Sequence, residues 1–168
     1  MRIVENILAV YHYESGEYRL NKTPENIVNI IETSIRMMLP LAKDKNSRIL
    51  QDIDKNLPSV MLDKNEIGRV VTNLLNNAIK HTKPGTEIKI KSSLQDNNII
   101  ISITDNGEGI KEEDKPNIFQ RYPTVKRKIG TGLGLYLSKQ IIDAHKGKIW
   151  FSSEAGRGTT FSFTLPIE

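Results

Sequence analysis

The strongest constraint on the fold is an unbroken apolar face on one predicted helix, which begins shortly after Asp63. Asp63 and Glu66, three residues later, are arranged like a capping box, which favours a helix start at this point. Apolar side chains then recur at helical spacing: Ile67, Val70, Val71, Leu74, Leu75 and Ala78. A stripe of this length must be buried against a second layer of structure. We therefore expect a layered domain with this helix at its centre.

The second layer is predicted from extended segments elsewhere in the chain. Alternating apolar and polar residues indicate strands, and short turns between some of them indicate hairpins. The predicted strands are 18–20, 49–53, 60–62, 87–92, 98–104, 148–153 and 159–165. Further helices are expected to start at Thr23 with Pro24 in the first turn, and near Leu133 with Gly147 as a C-cap. The expected fold class is α+β, a two-layer α/β sandwich whose mixed sheet is covered on one face by helices.

The chain length of 168 residues fits one domain with a short appendage. Residues 1–15 show helical spacing and Gly16 is a natural stop, so this segment is read as the end of a longer helix. The expected division is residues 1–16 as that helix end and residues 17–168 as the domain.

Composition excludes several classes of protein. Cysteine is absent, which rules out disulfides and thiolate metal sites and agrees with the cytosol. No apolar run approaches the roughly 20 residues that cross a bilayer. Much of the net charge of +4 lies between Lys111 and Lys128 rather than on a helix interleaved with aromatic residues, so nucleic acid is not expected as a partner.

The helix after Asp63 also carries a polar stripe, made of Glu66, Asn73, Asn77 and Lys80 and predicted to lie opposite the apolar face. Asparagine is a poor helix former, so two of them four residues apart require an explanation. A solvated helix surface is one explanation. The other is that neutral amide oxygens suit a magnesium ion that also carries phosphate oxygens, with Lys80 as a point charge for the phosphates.

A first glycine-bearing segment, residues 105–110, lies where an apolar strand ends. The carboxylate of Asp105 is able to accept a hydrogen bond from an exocyclic amine such as that of adenine. The glycines would let the backbone approach a flat ring. An ordinary Asp-Asn-Gly turn is the alternative.

A second glycine-bearing segment, residues 130–135, opens directly into a helix. Backbone amides and the helix dipole at such a start favour an anion such as phosphate. A flexible linker is the alternative. Between the two segments, Lys126, Arg127 and Lys128 lie in a loop that is expected to act as a mobile lid.

Taken in order, these segments resemble the four sequence boxes of bacterial sensor histidine kinases. Residues 73–82 are similar to the asparagine box, 105–110 to the first glycine box, 118–122 to the phenylalanine box and 130–135 to the second glycine box. The resemblance is to the ATP-binding catalytic domain of these kinases, in the GHKL ATPase and kinase superfamily, and covers about residues 20–166. The opening segment is similar to the tail of the dimerisation and phosphoacceptor hairpin in that family.

The resemblance implies a role for each matching position. Asn77 would be the magnesium ligand, Asn73 would support the ion and the phosphates, and Lys80 would touch phosphate. Asp105 would bind the adenine amine. The implied nucleotide-binding set is Asn73, Asn77, Lys80, His81, Asp105, Gly107, Gly109, Ile110, Phe119, Gly130, Thr131, Gly132, Leu133, Gly134 and Leu135. Because Pro123 and Thr124 depart from the family pattern, the residue that reaches the γ-phosphate is left open among Arg121, Lys126 and Arg127.

The implied activity is transfer of the γ-phosphate of Mg-ATP to a histidine on an upstream helical hairpin that this chain lacks. Of the three histidines, His81 is assigned to the nucleotide pocket, His145 to structure and His12 to a surface or packing position. The implied partners are that hairpin, as a homodimer in the full-length protein, and a response regulator. The domain itself would be cytoplasmic and would not contact the membrane directly, whether or not the parent protein is membrane-anchored.

The sequence leaves two alternatives to the kinase function open: an ATP-driven conformational clamp and a non-catalytic nucleotide-binding module. Related ATPases resemble one another in carrying a glutamate one turn before the position of Asn77, and a carboxylate there is able to activate water. This chain has Asn73, which cannot take a proton, so hydrolysis is expected to be poor and transfer to a protein acceptor is the better interpretation.

Overall fold

The structure, a computed structural model, describes residues 8, 10–13, 19–121 and 132–167. Its elements in chain order are β1 (Thr23–Glu25), α1 (Ile27–Asp44), β2 (Arg48–Ile53), β3 (Val60–Leu62), α2 (Lys64–His81), β4 (Glu87–Gln95), β5 (Asn98–Asp105), a 3-10 turn (Lys115–Asn117), α3 (Leu133–Ala144), β6 (Ile149–Glu154) and β7 (Gly158–Pro166). Residues 10–13 are also helical, as expected, while the boundary between residues 1–16 and 17–168 stays a prediction.

Five strands form one mixed sheet in the order β2-β4-β5-β7-β6. β2 runs parallel to β4, and the other neighbours are antiparallel. The β4–β5 hairpin turns at Asp96 and Asn97, whose φ angles of 46° and 63° are both left-handed. Asparagine and aspartate tolerate this conformation better than most residues, so the turn forms where the sequence predicts it.

Helices cover one face of this sheet, which confirms the expected fold class. Alternate residues of β4, β5 and β7 are buried on that face, including Ile90, Ile101 and Phe163. The apolar face of α2 is fully buried above them. The opposite face of the sheet is polar, and hydroxyl groups pair across its strands, as between Ser102 and Ser162 at 2.8 Å.

The predicted helix start at Thr23 and Pro24 is wrong. Residues Thr23–Glu25 form β1, which pairs antiparallel with β3 in a separate two-stranded sheet. Asn26 caps α1 instead, because its side chain accepts a hydrogen bond from the Val28 N–H at 2.9 Å. Proline is tolerated in β1 because a strand with a single neighbour does not need every N–H.

Two further expectations are corrected. Glu66 does not lie on a solvated stripe: it is buried at the start of α2, where its Oε2 accepts a hydrogen bond from Tyr13 Oη at 3.3 Å. At the end of α3 the left-handed residue is Lys146, with φ of 60°, and not Gly147. Gly147 is required for a different reason, since a Cβ there would lie 2.0 Å from the carbonyl oxygen of Thr164.

His145 joins α3 to the start of α2. Its Nε2 accepts a hydrogen bond from the Asp63 N–H at 3.0 Å, and its Nδ1 lies 2.7 Å from the carbonyl oxygen of Ile141. Because Nε2 accepts, Nδ1 carries the proton and the ring is neutral. Burial lowers the pKa of His145, and the positive charge of Lys22 adds to that effect against the opposing bond to Ile141. These contacts agree with the structural role expected for His145.

We expect the free energy of unfolding to fall as the pH drops below 6.5, the ordinary pKa of a histidine. The unfolded chain then binds a proton that the folded His145 resists, so protonation favours unfolding until the pH passes below the lowered pKa of the folded state. His145→Leu should remove this dependence. At pH 7.5 the variant should be less stable by about 1–3 kcal/mol, because the Asp63 N–H loses its acceptor. Urea unfolding from pH 5 to 8 measures both effects.

His12→Gln is the matched control, because His12 is exposed. It should keep the pH dependence of the parent chain. An unchanged pH profile in His145→Leu would show that His145 is not the titrating group.

Candidate functional site

The second half of α2 presents the predicted polar residues along one side. Asn73, Asn77, Lys80 and His81 are all partly exposed, whereas Leu74, Leu75, Ala78 and Ile79 between them are buried. The apolar face therefore fixes the rotation of the helix, and this rotation turns the two amides and the lysine to the same open side. Glu66 is the member of the predicted stripe that is buried instead of lying on this open side.

Asn73 makes a specific contact with α3. Its Nδ2 donates a hydrogen bond to Ser138 Oγ at 2.9 Å. A Cβ on Gly134 would lie 2.4 Å from Asn73 Oδ1, so the absence of a side chain there lets α3 approach the amide. The side chain of Asn73 thus connects the helix of the asparagine box with the helix of the second glycine box.

Asp105 ends β5 and its carboxylate is buried. Its Oδ1 accepts a hydrogen bond from the Gly107 N–H at 2.8 Å. Burial raises the pKa of Asp105 above the ordinary value, and the opposing influences are bonds from the backbone N–H groups of Gly107 and Thr159 and the charge of His81. A buried carboxylate whose pKa is shifted by desolvation is typical of a functional site.

The first glycine box lies against the end of α2. A Cβ on Gly107 would stand 2.4 Å from the carbonyl oxygen of His81, and the Glu108 N–H donates to that oxygen at 3.4 Å. Gly109 has φ of 69°, and a Cβ there would lie 2.1 Å from the carbonyl oxygen of Glu154. The glycines are thus needed for close backbone packing, which brings Asp105 beside the C-terminal end of α2.

Ile110 and Phe119 are packing residues in the structure. Ile110 is buried, and its N–H donates to Ser153 Oγ at 2.8 Å. Phe119 lies with its ring centroid 5.9 Å from that of Phe151 and 6.2 Å from that of Phe161. These contacts anchor the segment after the first glycine box to the sheet. The nucleotide contacts expected of Ile110 and Phe119 stay predictions.

The second glycine box is described only in part. Gly130, Thr131 and the lid residues Lys126, Arg127 and Lys128 lie outside the described residues. Gly132, with φ of 69°, is the N-cap of α3, which begins at Leu133 as predicted. Leu133 is buried and Leu135 is half-buried against the core, so the leucines of this box anchor the helix. Arg121 is exposed.

Sequence reasoning missed two residues that support this site. Ser138 is one, and the glycine one turn before it was the available signal. Lys45 is the other: its Nζ donates to the carbonyl oxygens of Lys80 at 3.0 Å and Thr82 at 3.4 Å. It thereby satisfies backbone acceptors at the end of α2. No local pattern indicates this contact, since the residues are far apart in sequence.

The donor set decides what the site is able to hold. Within the described ranges, no group of three or more carboxylate or imidazole side chains is placed to hold a metal ion. The amides of Asn73 and Asn77 offer neutral oxygen atoms, which fit a magnesium ion that brings phosphate and water ligands with it. Asp105 offers a buried acceptor for an amine. The residues therefore fit a magnesium-bound nucleotide.

No helix of the described chain has the length and apolar character to span a bilayer.

A family profile described as histidine kinase-, DNA gyrase B- and HSP90-like ATPase matches residues 62–168. The alginate biosynthesis sensor protein KinB of Pseudomonas aeruginosa is 31% identical over 166 residues, which are 98% of this chain and 28% of KinB. The adaptive-response sensory kinase SasA of Synechocystis sp. is 34% identical over 170 residues, 99% of this chain and 44% of SasA. The chain thus spans less than half the length of these two relatives.

Solved structures share the fold. The catalytic domain of histidine kinase ThkA superposes with a TM-score of 0.79 at 31% identity, over 87% of this chain and 95% of that domain. ThkA in complex with response regulator protein TrrA gives 0.78 at 26% identity, over 99% of this chain and 48% of that one. Full-length ShkA in complex with AMPPNP gives 0.84 at 23% identity, over 98% and 36%, and at that identity it shows the fold alone.

We expect Asp105→Asn to raise the stability of the chain at neutral pH. The contribution of Asp105 to stability is present below pH 3.8, its ordinary pKa, and is lost as the pH rises through the raised pKa of the folded state. Asparagine keeps an oxygen for the Gly107 N–H and carries no charge to desolvate. Urea unfolding at pH 4 to 8 measures the difference. The exposed turn variant Asp96→Asn is the matched control, and a less stable Asp105→Asn at pH 7.5 would contradict the expectation.

Proposed function

The chain belongs to the family of histidine kinase-, DNA gyrase B- and HSP90-like ATPases, and on that premise we propose that it binds Mg-ATP and donates the γ-phosphate to a histidine. The acceptor would lie on an upstream helical hairpin, as in a two-component sensor kinase. The observation that carries the proposal is the buried Asp105 carboxylate packed beside the end of the helix that bears Asn73, Asn77 and Lys80.

Asp105 is proposed to bind the adenine amine. The carboxylate has lone pairs beyond those that accept the backbone N–H groups of Gly107 and Thr159, so it is able to accept from an amine as well. The cost of keeping this carboxylate buried is offset when an amine hydrogen bonds to it. His81, at the rim of the same site, would lie against the nucleotide, and its Nδ1 is 3.4 Å from Glu108 Oε1.

The polar side of α2 is proposed to hold the phosphates. Asn77 would ligate magnesium, Asn73 would support the ion and the phosphates, and Lys80 would contact a phosphate oxygen. When bound, magnesium supplies a positive charge that offsets the charge of the phosphates. The bonds from Lys45 to the end of α2 hold the backbone that positions Lys80.

Asn73 favours transfer over hydrolysis. An amide cannot remove a proton from water, so this chain offers no general base at the position one turn before Asn77. Histidine as acceptor needs no such base, because a neutral imidazole nitrogen attacks with its own lone pair. The new N–P bond forms as the bond from the γ-phosphorus to the ADP oxygen breaks, and ADP leaves. A conformational ATP clamp is less well supported for the same reason.

The acceptor is proposed to lie outside this chain. His145 is buried with both ring nitrogens engaged. His81 is proposed to lie against the nucleotide. His12 is exposed on the opening helix, but Tyr13 rather than an acidic residue follows it directly, and the next proline is Pro24, so the usual surroundings of a phosphoacceptor are missing. The solved complex of ThkA with TrrA supports a response regulator as the next partner. A homodimer in the full-length protein and a cytoplasmic location stay predictions.

We expect Asp105→Asn to weaken the binding of ADP about tenfold or more. A hydrogen bond to a charged group contributes roughly 1.5–3 kcal/mol, and 1.4 kcal/mol is a factor of ten in affinity. Calorimetric titration measures the dissociation constant, with Asp96→Asn as the control. An unchanged constant would remove Asp105 from the pocket.

The isolated chain should neither hydrolyse ATP appreciably nor label itself on histidine. Mixed with its own upstream hairpin as a separate polypeptide, it should transfer label from radiolabelled ATP, weakly because the tether is lost. The product should be labile to acid and stable to base, as phosphohistidine is. Asn77→Ala should abolish the transfer.

Label on His12 of the isolated chain would overturn the assignment of that residue. Transfer that survives in Asn77→Ala would overturn the magnesium assignment. Lys139→Ala, a change at a partly exposed residue of α3 whose partner is Asp143, is the matched control and should transfer normally.

A further inference from the structure

Ser138 lies on α3 and is nearly fully buried, and its hydroxyl contacts a side chain of another helix. It lies one helical turn after Gly134, on the same side of α3. Its Oγ accepts the hydrogen bond from Asn73 Nδ2 at 2.9 Å. The same side of α3 therefore has space at Gly134 and a hydrogen-bond acceptor at Ser138. The side-chain amide of Asn73 fills the space and donates to the acceptor.

These two contacts restrain the rotation of the Asn73 side chain. An unrestrained asparagine side chain rotates about two bonds, and the terminal rotation has broad preferences. With Nδ2 bound to Ser138, Oδ1 faces Gly134, where a Cβ would come within 2.4 Å. The bond lies partly buried between two helices, where it is electrostatically stronger than in water. The carboxamide of Asn73 is thereby held against α3 before any ligand arrives.

We propose that Ser138 is a positioning residue that holds the Asn73 carboxamide against α3 at the phosphate side of the nucleotide site. The inference rests on the proposed function, because it takes Mg-ATP as the ligand. Ser138 acts through Asn73 and touches neither the ion nor the phosphates. It also links the first turns of α3 to α2, so that the two phosphate-side elements are held in one register.

The test is the affinity of Ser138→Ala for AMPPNP in the presence of magnesium. Loss of one hydrogen bond to Asn73 should weaken this affinity about fivefold to tenfold. Affinity for adenosine, which lacks phosphates and relies on Asp105, should stay within about twofold. A merely structural defect would weaken both ligands alike. Calorimetric titration of the whole chain gives both constants.

A double-mutant cycle with Asn73→Ala tests whether Ser138 acts through that side chain. Residues in contact show coupling, whereas independent residues are additive. Ser138→Ala should therefore cause no further loss in the Asn73→Ala background. The side-chain amide resonances of Asn73 in nitrogen-15 NMR should shift in Ser138→Ala, as a direct reading of the lost bond.

Two variants control the experiment. Ser34→Ala removes an equally buried serine hydroxyl from α1, away from the site, and should bind both ligands as the parent does. Ser138→Cys replaces the oxygen with a larger sulfur that is a weak acceptor, so it should repeat the loss without removing the side-chain atom, and it replaces Ser138→Ala if that variant does not fold.

The possible outcomes distinguish failure of the proposed function from failure of the proposed role of Ser138. A parent chain that does not bind Mg-AMPPNP would refute the proposed function itself. A parent chain that binds, with Ser138→Ala indistinguishable from it or weakened equally for adenosine, would overturn only the role of Ser138. Additive losses in the double-mutant cycle would do the same.

Discussion

The burial of one face of α2 is the interaction on which the rest of the structure depends. Its isoleucine, valine and leucine side chains lie between the sheet and the flanking helices, and full burial of each contributes roughly 1.5–3 kcal/mol. Because a helix has a fixed periodicity, burying this face also fixes where Asn73, Asn77 and Lys80 point. The residues proposed to bind magnesium and phosphate are therefore oriented by the packing of a different set of residues.

The remaining parts of the site are held to α2 by short polar contacts. Asn73 bonds to Ser138 on α3, the first glycine box packs on the carbonyl oxygen of His81, and Lys45 bonds to the last carbonyl oxygens of the helix. At the other end of α2, His145 accepts the N–H of Asp63. Each contact joins segments far apart in sequence, so the site is a property of the whole sandwich.

The buried carboxylate of Asp105 illustrates how such a site opposes stability. Desolvation raises its pKa, and two backbone N–H groups and His81 only partly offset this effect. A chain selected for stability alone would place a neutral group here, and we attribute the charge to the proposed ligand, whose amine would donate a hydrogen bond. Asn73 contrasts with Asp105. Its neutral amide is proposed to support the ion and the phosphates, and it is unable to act as a base.

The sequence by itself predicted the presence of the helices and of the strands of the main sheet, though not the start of α1, because periodicity and turn chemistry are local. It placed the Asp96–Asn97 turn, the Asp63 cap and the start at Leu133, since each depends on neighbouring residues. Tertiary structure decided the rest. Thr23–Glu25 became a strand because β3 pairs with it, Glu66 was buried by contacts with distant elements, and Ser138 gained its hydrogen bond from a side chain on another helix. Local patterns cannot predict these outcomes, because each depends on which distant residue the fold brings into contact.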